Sequence, residues 1–137
     1  MAIVLATSVL RAGSRTEFAD TAFTVPNSST QLCVIPCNYI QILACEIAVA
    51  TQNITGFIIQ GRMHSAGSYQ TLYSTTSDFT NVQGILKGTS GDLTTITAGA
   101  SGWFILDVAG MESITLYATC AASSGTVNVR AGGHVYG

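Results

Sequence analysis

Gly102-Trp103-Phe104-Ile105-Leu106-Asp107-Val108, then Ser113-Ile114-Thr115-Leu116-Tyr117-Ala118-Thr119-Cys120, then Gly125-Thr126-Val127-Asn128-Val129-Arg130-Ala131: these three runs decide the fold. Successive side chains of a strand point to opposite faces. That period places Phe104, Leu106 and Val108 on one face of the first run, and Trp103, Ile105 and Asp107 on the other. In the second, Ile114, Leu116, Ala118 and Cys120 form an inward set against Ser113, Thr115, Tyr117 and Thr119. In the third, Val127, Val129 and Ala131 face inward against Thr126, Asn128 and Arg130. Gly110 marks the first turn, and Ala122-Ser123-Ser124-Gly125 reads as a hairpin loop. A slip of one residue would expose each inward set, so the register is well specified.

Upstream the same reading predicts strands over 2–10, 17–25, 31–35, 39–50, 54–62, 69–74, 83–87 and 93–97, with a last short one near 134–136. Segment 39–50 stands apart, because Tyr39, Leu43, Cys45, Ile47 and Val49 alternate with Ile40, Ile42, Ala44, Ala48 and Ala50. Apolar on both faces, it predicts a central strand covered on both sides, the outer cover coming from another chain. No linker or charged run marks a domain boundary. The expectation is an all-β chain: an antiparallel β-sandwich, jelly-roll-like, spanning 17–137, preceded by an N-terminal arm or edge strand over 1–16.

Composition limits the function. Of 137 residues only 9% are charged, against about 25% in an average soluble domain. Net charge is −2, with Lys87 the single lysine. Nucleic-acid binding needs a basic stripe to displace counterions, and a polybasic membrane anchor needs clustered lysines; neither partner is expected. With 47% apolar residues the chain is no disordered segment. Eighteen Thr and 13 Ser replace the missing charge and predict neutral polar faces. So little charge predicts association, since surface charge of both signs keeps small domains apart.

The apolar run Ala2 to Leu10 has no basic residue before it, while Arg11 and Arg15 follow it. It is too short to span a bilayer as a helix and reads as a strand or extended arm. Ile3, Val4, Leu5, Arg11 and Arg15 are the expected contact residues of that arm.

Catalytic chemistry finds little purchase. The seven carboxylates, Glu17, Asp20, Glu46, Asp78, Asp92, Asp107 and Glu112, are scattered singly. No glycosidase-like pair shares a strand face. Glu46 and Asp107 stand in apolar strands, with an outward or hydrogen-bonded structural role expected. His64-Ser65 invites a base and nucleophile reading, but sequence neighbours on a strand would point to opposite faces, and 64–68 reads as a loop. Cys33 and Cys37 match no common redox or zinc spacing, and with Cys45 and Cys120 they are expected as buried free thiols. No catalytic residue, cofactor or metal is expected. One binding alternative remains: Trp103, Tyr69, Tyr73, Tyr117 and Phe79 as a sugar-stacking platform.

Two stretches resemble a known group. Ile54-Thr55-Gly56-Phe57-Ile58-Ile59-Gln60-Gly61-Arg62, followed by a loop and Tyr69-Gln70-Thr71-Leu72, is one; Gly102 to Thr119 with the hairpin Gly125 to Gly132 is the other. Over about residues 40–132 they resemble the small β-sandwich virion proteins of tailed bacteriophages, of the capsid decoration (cement), neck and tail-associated types. The resemblance is one of style and carries no catalytic or binding motif. It implies a non-enzymatic structural protein of the virion, made in the host cytoplasm. Its partner would be the major capsid protein or another virion protein, and it would be a homo-oligomer, a trimer when it cements a capsid. Neck, tail or fibre placement is the alternative.

Overall fold

The computed structural model describes residues 15–74, 84–88, 91–92, 95–122 and 124–135. Within them eleven strands, and no helix, follow in order: β1 Arg15–Glu17, β2 Thr21–Val25, β3 Thr30–Pro36, β4 Ile42–Thr51, β5 Ile54–Arg62, β6 Gln70–Ser74, β7 Gly84–Gly88, β8 Gly91–Asp92, β9 Ser101–Asp107, β10 Ser113–Cys120 and β11 Gly125–His134.

They form two antiparallel sheets. The large one runs β1-β11-β4-β9-β7-β8, with β2 also on β11; the small one runs β3-β10-β5-β6. Strands close in sequence mostly alternate between sheets: β2, β4, β9 and β11 lie in one, β3, β5, β6 and β10 in the other. That interleaving is the jelly-roll arrangement, a β-sandwich built of two Greek keys. β7 and β8 extend the free side of β9.

The alternating runs define the core. Phe104, Leu106 and Val108 are buried, as are Ile114, Leu116, Ala118 and Cys120, and Val127, Val129 and Ala131. From β4, Leu43, Cys45, Ile47 and Val49 join them. Phe57 of the small sheet and Phe104 of the large one meet tilted across the sandwich, ring centroids 6.3 Å apart. A bulge in β3 opposite Leu116 and Tyr117 turns both Leu32 and Cys33 inward. Ile40, just before β4, fills the space above Gly133.

All four cysteines are free and buried. Burial pushes the Cys33 and Cys37 thiols up to about 12 and Cys45 well above its ordinary value, so all three stay protonated and inert.

Three expected boundaries change. The strand expected over 17–25 is broken at 18–20, and its two parts, β1 and β2, pair with successive stretches of β11. The Phe18 N–H still donates to Ala131 O at 3.0 Å. Of the strand expected at 93–97, residues 93 and 94 lie outside the described residues, and in the rest Ile96 makes an isolated bridge to Ile54, followed by a turn at Gly99 with φ +84°. Of the last strand expected near 134–136, His134 is the end of β11 and Val135 lies beyond it, while Tyr136 lies outside the described residues. The strand expected at 2–10 lies outside the described residues, and the 16/17 boundary falls inside β1.

Candidate functional site: the outer face of the large sheet

β4 lies in the middle of the large sheet, between β11 and β9. Its inner face is covered by the small sheet. Its outer face carries Ile42, Ala44, Glu46 and Ala48, and Ala44 is exposed. Register sets Glu46 opposite Trp103 and Ala44 opposite Ile105 on β9. Trp103 is 43% and Ile105 48% exposed, so this face of β9 presents a large apolar pair to the outside. On the next strand, Ile85 and Lys87 occupy the register positions beside Ile105 and Trp103.

Charge gathers on the other side of the same face. Arg130 of β11 donates from Nε to Asp20 Oδ2 at 3.0 Å and from its terminal nitrogen to Glu46 Oε1 at 2.9 Å. Asn128 donates to Asp20 Oδ1 at 2.9 Å. The Asn128 amide, then Arg130, hold the Asp20 carboxyl below its ordinary value, and the two carboxylates in turn raise that of Arg130. Arg15 pairs with Glu17 at 2.7 Å, and its guanidinium lies across Gly132, which has no Cβ to obstruct it. Together these residues line an open groove of about 500 Å³, floored by Ala44 and walled by Trp103 and Ile105 on one side and Arg15 and Arg130 on the other.

Both Asp20 and Glu46 are tied to a guanidinium, and Cys45, the thiol among the lining residues, is buried and held protonated. An exposed tryptophan beside an arginine network has the make-up of a protein-contact hot spot.

A second concavity, of about 590 Å³, lies at one end of the sandwich between Tyr39, Met63, His64 and Met111. There His64 Nδ1 accepts from the Ala66 N–H at 3.0 Å, closing its own loop rather than serving Ser65.

On the small sheet, Arg62 donates twice to Glu112 Oε1, at 2.8 and 2.6 Å, and its guanidinium stacks 4.9 Å over the Tyr69 ring. Ser113 donates to the same oxygen at 2.8 Å and is hydrogen-bonded to the Tyr69 hydroxyl at 2.7 Å. This network ties the 63–69 loop to the start of β10.

Of the five contact residues expected from sequence, Arg15 lines the groove; Ile3, Val4, Leu5 and Arg11 lie outside the described residues. Glu46 and Asp107 take the bland roles expected: Glu46 pairs with Arg130, and exposed Asp107 accepts from the Ala109 N–H at 3.0 Å. The aromatic platform is not assembled. Trp103 stands on the large sheet, Tyr117 on the small one, Tyr69 in the loop before β6, and Tyr73 packs against the core; Phe79 lies outside the described residues. Ala44, Ile105, Asp20 and Arg130 were not anticipated as site residues. Their signal was the outward sets of 39–50 and 102–108, but only the β4–β9 pairing joins those sets, and interleaved topology hides it from the sequence.

No protein-family model matches the chain, and no curated protein is detectably similar to it in sequence. A solved structure shares the fold. The SPBc2 prophage-derived protein YomS aligns with a TM-score of 0.51 at 10% identity, over 90% of this chain and 98% of that one. A subunit of Bacillus endospore appendages, described as disulfide-linked pili, aligns with a TM-score of 0.49 at 10% identity, over 97% of both chains. Identity this low speaks to fold alone.

Proposed function

We propose that this chain is a non-enzymatic structural protein of a bacteriophage virion. It self-associates, with a trimer favoured, and decorates the capsid by covering joints between major capsid subunits. Its mechanism is mass action: a protein that binds only the assembled shell stabilises that state by its binding free energy. The observation that carries the reading is the outer face of the large sheet. Trp103 and Ile105 stand exposed beside Ala44 on a sheet face that no other described strand covers, in a chain with 9% charged residues to keep copies apart. The fold shared with a prophage-derived protein supports the setting. In the test, full-length protein is incubated with empty capsid shells and sedimented. Co-pelleting, together with a higher temperature of shell disruption, is expected. Protein that remains in the supernatant at every shell concentration contradicts the proposal.

A further inference from the structure

The groove on the large sheet has an unbalanced rim. Three carboxylates, Glu17, Asp20 and Glu46, face two guanidiniums, Arg15 and Arg130, and Arg130 is divided between Asp20 and Glu46. Among the groove's lining residues one negative charge is therefore left over beside the apolar wall of Trp103 and Ile105. An occupant with complementary chemistry has an uncharged apolar run next to a single cation.

The chain contains such a segment. Residues 2–10, Ala-Ile-Val-Leu-Ala-Thr-Ser-Val-Leu, carry no charge, and Arg11 follows directly. The segment joins the described chain at Arg15, itself a wall of the groove. Nine extended residues reach about 30 Å, while the face from β11 across β4 and β9 to β7 is about 15 Å wide, so the run is long enough to cover it.

We propose that residues 2–11 of one copy occupy the outer-face groove of a neighbouring copy. Ile3 and Leu5, which share one face of an extended segment, cover Trp103 and Ile105, and Arg11 supplies the positive charge beside Asp20 and Glu46. Delivery by a neighbour rests on the self-association proposed above.

Trp103 is the only tryptophan in the chain, so its emission reports directly on the groove. Two full-length variants separate donor from acceptor. Trp103→Phe keeps the N-terminal segment and is silent; the double variant Ile3→Asp, Leu5→Asp keeps Trp103 but not an apolar segment. Mixing them is expected to shift Trp103 emission to shorter wavelength in a saturable way. The shift should vanish when the silent donor also carries Ile3→Asp and Leu5→Asp, and Arg11→Glu in the donor should weaken it about tenfold. Emission that does not move on mixing overturns the inference, including the case in which each copy fills its own groove. Sedimentation of the wild type distinguishes the two failures. An oligomer with silent mixing leaves self-association standing and removes only the N-terminal segment as occupant. A wild-type monomer removes self-association itself.

Discussion

Gly132 and Gly133 are neighbours on β11 with opposite environments. A Cβ at Gly133 would lie 2.5 Å from Ile40 Cγ2, inside the packed end of the core. A Cβ at Gly132 would meet only the Arg15 guanidinium, at 2.6 Å, the far end of a flexible side chain. Overpacking a core position costs about 1–3 kcal/mol, whereas a surface side chain swings aside. Gly133→Ala is therefore expected to destabilise the protein by that amount in denaturant titration, and Gly132→Ala by under about 0.5 kcal/mol. Equal effects would contradict the assignment of inner and outer faces to β11. The same alternation was legible in the sequence at Val127, Val129 and Ala131, because period 2 survives wherever one face is dry. At Gly132 and Gly133 there is no side chain to carry the pattern, so the strand seemed to end at 131.

At the scale of elements, the ends of the small sheet are fastened by charge. Hydrogen bonds from Ser113 and then Arg62 hold the Glu112 carboxyl below its ordinary value. A carboxylate whose folded value is lowered stabilises the fold above its unfolded value, near 4.3, and that contribution disappears as pH falls through the lowered one. Asp20, lowered by Asn128 and Arg130, acts with the same sign on the large sheet. Thermal stability is thus expected to hold steady from neutral pH to about 5 and to decline below about 4, where carboxylates protonate. Glu112→Gln should lower stability at pH 7 and flatten the decline; an unchanged acid profile would show that the Arg62–Glu112 pair does not matter to folding. The strands themselves were largely legible, since β4, β9 and β11 bury alternating sets and β10 buries Ile114, Leu116, Ala118 and Cys120, although Ser113 and Thr115 on its expected outward face are buried too. The break at 18–20 was not: Phe18 and Phe23 both turn to the core, a spacing of five that period 2 cannot accommodate without an irregular residue. Nor was the network at Glu112, whose partners come from β5 and the loop after it and meet only once β10 lies beside β5.

For the whole molecule, low charge and an apolar sheet face express the same property. Twelve charged side chains serve the whole protein, and five of them, Arg15, Glu17, Asp20, Glu46 and Arg130, line the groove beside Trp103 and Ile105. Apolar atoms are common on any surface, but an exposed tryptophan and isoleucine two residues apart on one strand face, rimmed by charge, are the feature on which the proposed self-association rests. Composition carries the expectation of association but not its place, because strand order in a jelly roll decides which outward sets lie side by side. Sedimentation velocity of the wild type beside Trp103→Asp, Ile105→Asp is the most direct measurement of this claim. Both substitutions are on the exposed face, so the fold should survive, as strand-type circular dichroism and a cooperative melt would verify. A wild-type oligomer that becomes a folded monomer in the double variant is the predicted result. A wild type that is monomeric, or an oligomer indifferent to both substitutions, would contradict self-association through this face.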